Sequence, residues 1–423
     1  MNITIAKPPV GGEIRAITSK SAAHRLLICA ALADGETELT CTDISKDISA
    51  TVDCLNALGA RITRVDGGFH IVPVSRDRLP EQAVCRCGES GSTLRFLIPV
   101  AAALGVDTAF IPEGRLPERP LSPLYETLVS HGVSLSEQGS VPFFVKGTLP
   151  AGTYTIAADV SSQFISGLVF SLPLTDGESR IRLTGKFESR SYVDMTVNAV
   201  KKFGIDIDFL DNEYIINTDS VYRTAGQVTA EGDWSNAAFW LCAGACAHAP
   251  ITVTGLDFDS LQGDKAVIDL LARFGARMDI DRDNGRCTVY PSALRGIDID
   301  ASNIPDLVPV LATVACAAEG TTNIYNAVRL RIKESDRLMT VRTLLTALGG
   351  DVAETADGLR IHGAALVGGA CDSFNDHRIA MSAAVASLQC KQPVTVTNAS
   401  AVEKSYPSFW TDFERLGGVL IKE

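Results

Sequence analysis

Five charged side chains occur within seven residues at RIKESDR (331–337), in a chain of which only 21% of residues are charged. Its cations Lys333 and Arg337 lie just before, or at, the start of the helix-like segment DRLMTVRTLLTAL. The positive end of a helix dipole disfavours cations there, so a bound anion explains Lys333 and Arg337 better. Two acids, Glu334 and Asp306, also lie among cations. An acid and a base held near each other indicate proton-transfer chemistry.

Six polar clusters open six highly apolar segments, and their starts are about seventy residues apart. They are SKSAAHR (19–25), ESGSTLR (89–95), SSQFIS (161–166), DWSNAAF (233–239), PDLVPV (305–310) and NDHRIAM (375–381). Segments that are apolar all round predict buried helices, and a helix N-terminus attracts anions. Taken singly, each cluster is also explained by helix caps or surface ion pairs. Their equivalent positions in the chain favour a shared anion-binding face.

A second series of six segments interleaves with the first, and it consists of an amphipathic helix, a glycine and two alternating strands. The glycines are Gly59, Gly132, Gly204, Gly275, Gly349 and Gly417. Each is placed to supply a left-handed helix C-cap. The repeated unit is therefore strand, buried helix, strand, amphipathic helix, strand, strand. Six copies exceed one hydrophobic core and predict an α/β protein of two three-unit domains.

The predicted domains comprise residues 14–220 and residues 1–13 plus 221–423, with the active site in the cleft between them. The early strand NITIA lies outside the six units and is expected to pair within the C-terminal domain.

Composition excludes several classes of function. The net charge of −12 and the pI of about 5.1 disfavour a nucleic-acid partner. The longest apolar stretches are too short to span a bilayer, and the first residues show no signal-peptide pattern. Eleven scattered cysteines without zinc spacing indicate reduced thiols packed in cores. We therefore expect a cytoplasmic protein without a metal site.

The motifs SKSAAHRLLICAALADG, GESGSTLRFLIPVAAAL, RPLSPL, SSQFISGLVFSLPL, GDWSNAAFW, RIKESDRL, NDHRIAMSAAVA and EKSYP together resemble the 5-enolpyruvylshikimate-3-phosphate synthase family. The resemblance covers essentially the whole chain. It implies the two-domain enolpyruvyl transferase fold, an inside-out α/β barrel with three βαβαββ units in each domain. It also implies that the enolpyruvyl group of phosphoenolpyruvate moves to the 5-hydroxyl of shikimate 3-phosphate and that phosphate leaves. The reaction belongs to the shikimate pathway, toward chorismate and the aromatic amino acids, and needs no cofactor.

The resemblance also implies roles for individual residues. Asp306 would accept the proton of the 5-hydroxyl, and Glu334 with Lys20 would transfer protons at the methylene carbon. Shikimate 3-phosphate would be bound by Lys20, Ser21, Arg25, Ser161, Ser162, Gln163, Ser189, Tyr192, Asp306 and Lys333. Phosphoenolpyruvate would be bound by Lys20, Gly91, Arg119, Gln163, Arg337, Arg378 and Lys404. His377 is a further candidate.

The alternative is the sister enolpyruvyl transferase that acts on a UDP-amino sugar. That enzyme uses an early Lys-Asn pair and a loop cysteine, whereas this chain has Lys20-Ser21 and no cysteine in RPLSPL. Two positions depart from the common pattern of the family: Glu89 stands where Asn is frequent and Ser92 where Thr is common. A monomer is expected.

Overall fold

A computed structural model of the chain describes residues 1–6, 11–217 and 219–423. Residues 7–10, which belong to the predicted segment 1–13, lie outside the described residues. The α-helices of the described part are α1 (Lys20–Leu32), α2 (Lys46–Ala57), α3 (Gly91–Leu104), α4 (Leu124–Ser130), α5 (Ser162–Ser171), α6 (Arg190–Lys202), α7 (Trp234–Cys246), α8 (Val267–Phe274), α9 (Val308–Ala317), α10 (Arg337–Ala347), α11 (His377–Ser387) and α12 (Phe409–Arg415).

The strands are short and alternate with the helices in the predicted repeat. They are β1 (Ile3–Ala6), β2 (Gly12–Arg15), β3 (Thr37–Thr40), β4 (Arg61–Val65), β5 (Gly68–Val72), β6 (Gln82–Gly88), β7 (Asp107–Pro112), β8 (Ser134–Leu135), β9 (Phe143–Lys146), β10 (Thr153–Ala157), β11 (Ser179–Thr184), β12 (Ile207–Leu210), β13 (Glu213–Ile216), β14 (Gln227–Thr229), β15 (Ile251–Thr254), β16 (Arg277–Asp281), β17 (Arg286–Tyr290), β18 (Asp298–Asp300), β19 (Thr321–Tyr325), β20 (Asp351–Glu354), β21 (Leu359–His362), β22 (Gly369–Asp372), β23 (Val394–Thr397) and β24 (Val419–Lys422).

The chain divides into two compact units. The N-terminal unit comprises Lys20–Ala230, and the C-terminal unit comprises Met1–Ser19 with Glu231–Glu423. The boundaries lie at 19/20 and 230/231, six and ten residues later in the sequence than the predicted ones at 13/14 and 220/221.

Three four-stranded sheets surround the buried helices of each unit. The N-terminal unit has the strand orders β14-β3-β5-β4, β6-β7-β9-β8 and β10-β11-β13-β12. The C-terminal unit has the orders β16-β17-β15-β2, β18-β19-β21-β20 and β22-β23-β1-β24. A parallel pair joined through a buried helix, such as β10 and β11 across α5, recurs in these sheets, because parallel neighbours need a crossover connection.

Two strands are exchanged between the first and the fourth repeats. The strand before α1, β2, pairs in parallel with β15. The strand before α7, β14, pairs in parallel with β3. The chain therefore passes twice between the units. The early strand β1 pairs antiparallel with β23 and β24, which confirms its predicted place in the C-terminal unit.

The two helix series differ in burial, as predicted. In α7, eleven of thirteen residues are buried, whereas α8 buries only Val267, Leu270, Leu271 and Phe274, one helical stripe. The six predicted C-cap glycines all have positive φ, between 82° and 107°. Within the described ranges, no helix combines the length and apolar character that a membrane span requires.

Candidate active site

The polar clusters of the N-terminal unit lie at helix N-termini. Lys20, Gly91 and Ser162 are the first residues of α1, α3 and α5. Ser161 caps α5 by accepting a hydrogen bond from the Gln163 backbone N–H at 3.3 Å. These helix ends carry partial positive charge, which suits an anionic ligand.

Gly91 is covered by the guanidinium group of Arg119. A Cβ atom built on Gly91 would lie 2.8 Å from Arg119 Nη1 and 3.3 Å from its Cζ. A side chain at position 91 would therefore displace the Arg119 guanidinium group from its place over the first turn of α3. Two residues predicted to bind phosphoenolpyruvate are thus brought into contact.

The side chain of Gln163 is held at both ends. Its Oε1 accepts a hydrogen bond from Arg95 Nη1 at 2.8 Å, and its Nε2 donates to Ser92 Oγ at 2.9 Å. Arg95 is only 4% exposed and also donates to the Pro120 carbonyl. These contacts connect the first turns of α3 and α5 and orient the Gln163 amide.

Lys20 is paired with an acid of the next helix. Its Nζ lies 2.9 Å from Asp47 Oδ2, and both side chains are about 15% exposed. Asp47 is in the first turn of α2, where the helix dipole favours a carboxylate. The pairing fixes the direction of the Lys20 ammonium group.

Arg25 joins α1 to α6. Its three nitrogen positions donate to Ser21 O at 2.7 Å, to Tyr192 O at 2.8 Å and to Thr196 Oγ1 at 2.9 Å. Burial lowers the pKa of Arg25 to about 10. Hydrogen bonds therefore connect three residues that are predicted to bind shikimate 3-phosphate, namely Ser21, Arg25 and Tyr192.

Ser189 precedes α6 with a positive φ of 52° and is only 3% exposed. A left-handed conformation costs a non-glycine residue roughly 1–3 kcal/mol and is found preferentially at functional sites. The conformation is compatible with the predicted role of Ser189 as a phosphate ligand.

Glu89 lies directly before the Ser90 cap of α3, but its carboxyl group points to the loop after β7. A Cβ built on Gly114 would be 2.7 Å from both Cδ and Oε2 of Glu89. The departure from Asn at this position therefore places the carboxylate against the Gly114 backbone.

In the C-terminal unit, Asp306 lies among three cations. It occupies a 3₁₀ turn directly before α9. Arg337 Nη1 is 2.8 Å from Asp306 Oδ1, Arg378 Nη2 is 3.2 Å from Oδ2, and Lys333 Nζ is 3.7 Å from Oδ1. Burial alone would raise the pKa of Asp306, but Arg378, Lys333 and Arg337 together lower it well below its ordinary value. Asp306 is thus held as a carboxylate.

Arg337 is saturated by acids. Its side chain is 1% exposed, and it donates to Asp306, to Glu334 Oε2 at 2.8 Å and to Asp376 Oδ2 at 2.8 Å. Burial lowers the pKa of Arg337, but Asp376, Glu334 and Asp306 outweigh burial and raise it. The sequence predicts Arg337 as a ligand of a bound anion, and here its anionic partners are three carboxylates of the chain.

The remaining predicted residues of this unit join the same cluster. Burial lowers the pKa of Lys333 to about 8, although Asp306 opposes the shift. Arg378 is the second residue of α11, and Lys404 Nζ donates to the Asn375 carbonyl at 2.6 Å, at the same helix end. His377 is 2% exposed, beside the buried Asp376.

Two charged residues of RIKESDR, Arg331 and Asp336, pair with each other. Asp336 caps α10, and Arg331 Nη1 lies 3.2 Å from Asp336 Oδ2. Arg331 also pairs with Glu354 at 2.6 Å. This pair is structural, whereas Lys333 and Arg337 approach Asp306 and Glu334 pairs with Arg337.

Three residues that sequence reasoning left without a role complete the two clusters. Asp376 is fully buried against Arg337, Asp47 orients Lys20, and Arg95 orients Gln163. Asp376 and Arg95 stand inside quoted motifs, which could have signalled them. Asp47 lies outside the six polar clusters, and only its first-turn position in α2 could have indicated it.

The sequence of the chain matches the family described as EPSP synthase (3-phosphoshikimate 1-carboxyvinyltransferase) over residues 5–413. The 3-phosphoshikimate 1-carboxyvinyltransferase of Clostridium kluyveri is 43% identical over 419 residues, with 98% of this chain and 97% of that protein covered. The protein of the same name from Clostridium beijerinckii is 41% identical over 430 residues, with 99% and 98% covered.

Solved structures agree with these relatives. EPSP synthase from Acinetobacter baumannii is 25% identical and superposes with a TM-score of 0.82 over 100% of both chains. The enolpyruvyl transferase NikO from Streptomyces tendae, 21% identical, shares the fold with a TM-score of 0.78 over 99% of this chain and 98% of its own. The predicted enolpyruvyl transferase fold is confirmed, and the UDP-amino-sugar alternative is not favoured. The chain belongs to the EPSP synthase family, the 3-phosphoshikimate 1-carboxyvinyltransferases.

Proposed function

We propose that the chain carries out the reaction of its family with the residues described above. The enolpyruvyl group of phosphoenolpyruvate moves to the 5-hydroxyl of shikimate 3-phosphate, and phosphate is released. The observation that carries the proposal is the Asp306 cluster, in which one carboxylate is held within 4 Å of three cations and a second acid, Glu334, shares Arg337. Acid, base and anion-binding groups are thereby combined at one set of helix ends.

In the proposed addition step, the 5-hydroxyl oxygen bonds to the central carbon of phosphoenolpyruvate. The hydroxyl proton passes to Asp306, and the methylene carbon gains a proton and becomes a methyl group. Glu334 and Lys20 handle this second proton. A general acid and base so placed contribute roughly 10²–10⁴-fold each to a rate.

In the elimination step, the methyl group loses a proton, the bond to phosphate breaks and the carbon–carbon double bond returns. The product is the enol ether of shikimate 3-phosphate, and one phosphate leaves for each transfer. No external oxidant or reductant is required, because atoms and electrons balance between the two substrates.

The cations account for the charge of the substrates. Each substrate carries a phosphate and a carboxylate, and Arg pairs with such groups through two parallel hydrogen bonds. We assign phosphoenolpyruvate to Arg119 with the Gly91 backbone, and to Arg337, Arg378 and Lys404. We assign shikimate 3-phosphate to Lys333 and to the hydrogen-bonded group of Ser21, Arg25 and Tyr192. Ser161, Ser162 and Ser189 would bind its phosphate. Gln163 would lie between the two substrates, and His377 would be an additional contact.

Substrate anions must compete with Asp306 for its cations. In the structure Lys333, Arg337 and Arg378 all pair with Asp306. When phosphate or carboxylate groups take up these cations, the pKa of Asp306 rises from its depressed value toward the range of a useful base. This competition supports the assignment of Asp306 as the base.

We further propose that the enzyme acts as a monomer in the cytoplasm. All eleven cysteines are free thiols, and ten of them are buried, which suits a reducing compartment. Sedimentation at working concentration would test the monomer: a dimer mass would refute it.

The test of the mechanism is turnover in D₂O. A methyl intermediate must place solvent deuterium in the methylene group of the product, which mass spectrometry detects. Product formed without any deuterium would exclude the addition–elimination path. Glu334→Gln should slow both product formation and deuterium incorporation, whereas Glu354→Gln, at a structural ion pair of the same unit, should leave both near the wild-type rate.

A further inference from the structure

A chain of hydrogen bonds runs beneath the first turn of α3. Thr93 Oγ1 donates to Ser90 Oγ at 2.7 Å, Thr51 Oγ1 lies 2.6 Å from Thr93 Oγ1, and His24 Nδ1 lies 2.7 Å from Thr51 Oγ1. All four side chains are at most 1% exposed. This series of hydrogen bonds starts at His24 on α1, passes through Thr51 on α2 and ends at Ser90, the residue that caps α3.

The end of the chain determines the geometry of the Gly91 turn. Ser90 Oγ also accepts the Thr93 backbone N–H at 3.3 Å, which is the N-cap bond of α3. Thr93 Oγ1 further approaches the Asp47 carbonyl at 3.5 Å. Gly91 lies in sequence between Ser90 and Thr93, which these hydrogen bonds hold in place. The hydrogen-bonded series therefore supports the proposed phosphate-binding turn from within the unit.

The number of hydroxyl protons determines which atom donates in each hydrogen bond of the series. A threonine hydroxyl has one proton to donate, and that of Thr93 is directed to Ser90. Thr51 must then donate to Thr93, and the remaining partner of Thr51, His24 Nδ1, must carry a proton. His24 Nε2 is then a bare acceptor, and it has no hydrogen-bond partner among the described residues.

The surroundings of His24 keep the imidazole neutral. Burial is the largest cause that lowers its pKa, and the cations Lys20 and Arg25 on the same helix add to the effect. From other elements, the Thr51 hydroxyl and the Phe96 ring face His24, and the Phe96 centroid is 6.5 Å away at an interplanar angle of 81°. A second proton would place a third positive charge in this buried region.

We propose that His24 is a positioning residue for phosphoenolpyruvate binding: as a neutral Nδ1–H imidazole it heads a chain through Thr51 and Thr93 that holds Ser90 and the Gly91 turn. The inference rests on the proposed role of Gly91 in the site. It extends the site to residues that touch neither substrate. Hydrogen-bonded chains of this kind polarise along their length, so each link strengthens the next.

The first test reads the tautomer without any substrate. In protein labelled with ¹⁵N-histidine, long-range ¹H–¹⁵N spectra should give one imidazole with a protonated Nδ1 and an unprotonated Nε2 that does not titrate near neutral pH, and His24→Asn should remove this signal. An Nε2–H tautomer, or a His24 that titrates near neutral pH, would overturn the inference whatever the enzyme's activity.

The second test separates positioning from stability. Loss of one buried hydrogen bond corresponds to about a three- to tenfold change. His24→Leu and Thr93→Val should raise KM for phosphoenolpyruvate by about that factor, with little change in kcat or in KM for shikimate 3-phosphate. His24→Asn should restore KM, because the Asn amide nitrogen stands at the position of Nδ1 and can donate.

Thr108→Val is the matched control, because Thr108 is also buried in the N-terminal unit and its hydroxyl donates to the carbonyl of Val106, directly before β7, outside the hydrogen-bonded series. It should leave both KM values unchanged. An unchanged KM for phosphoenolpyruvate in Thr93→Val, or an equal rise in Thr108→Val, would refute the inference. Absence of turnover in the wild type would instead refute the proposed function, while the tautomer result would stand.

Discussion

Replacing Asp376 by Asn should destabilise the C-terminal unit strongly. Asp376 is fully buried, and its carboxylate accepts from Arg337 Nε at 2.8 Å, from Arg337 Nη2 at 3.2 Å and from Ser335 Oγ at 2.9 Å. Removal of one member of a buried ion pair costs about 3–5 kcal/mol, because the other charge stays buried. Arg337 retains Asp306 and Glu334, so we expect a loss at the lower end, about 3 kcal/mol.

The assay is equilibrium unfolding in urea followed by tryptophan fluorescence. The chain has three tryptophans, Trp234, Trp240 and Trp410, and all of them lie in the C-terminal unit. Fluorescence therefore reports the unit that contains the substitution.

Asp412→Asn is the matched control for this measurement. Asp412 is also buried, at 4% side-chain exposure, but its partner Arg415 is 68% exposed and can be solvated when the pair is lost. We expect a loss of less than about 1 kcal/mol there. If Asp376→Asn costs no more free energy of unfolding than Asp412→Asn, the reasoning about the buried Arg337 is wrong.

Three further changes test the roles of single residues. Glu334→Gln should lower kcat by roughly 10²–10⁴-fold and leave the dissociation constant of shikimate 3-phosphate near that of the wild type. The reason is that Gln keeps the shape of the Glu side chain but cannot transfer its carboxyl proton. A loss of affinity with unchanged kcat would contradict this role. Lys333→Met should weaken shikimate 3-phosphate binding by about tenfold or more in calorimetry. In the wild type this affinity should fall as pH rises above about 8, where Lys333 loses its charge, and an identical pH profile in the Met variant would remove Lys333 from the phosphate site. Gly91→Ala places a methyl group 2.8 Å from Arg119 Nη1 and should raise KM for phosphoenolpyruvate, and an unchanged KM would show that the contact between Gly91 and Arg119 does not matter.

The repeated architecture could be predicted because its signals are local. A glycine after each amphipathic helix and an all-apolar helix in each repeat act within about ten residues of sequence. Gly275 closes α8 in the expected left-handed conformation. Local chemistry of this kind does not depend on distant parts of the chain.

The exchange of β2 and β14 could not be predicted, because the partner of a strand is set by contacts between residues far apart in sequence. Ile14 of β2 pairs with Val253, and Val228 of β14 pairs with Leu39. The short strands alternate in the same way whichever sheet they join. Sequence periodicity therefore indicates the repeats, but it does not indicate which sheet the first strand of each repeat joins.

The same reason limits what sequence indicated about the site. The cations of RIKESDR predict a bound anion, but the sequence does not show that Asp306 and Asp376 contact Arg337. The roles of Asp47 and Arg95 depend equally on side chains from other helices. The residue types at helix N-termini predicted the kind of chemistry, while the pairing of charges required the structure.

The most direct test of the central claim is phosphate release by the purified protein with phosphoenolpyruvate and shikimate 3-phosphate, each omitted in turn. We expect release only when both are present, with the enolpyruvyl product seen by mass spectrometry. Asp306→Asn should abolish release while shikimate 3-phosphate still binds. Release from phosphoenolpyruvate alone, or no release from a folded wild-type protein given both substrates, would contradict the account.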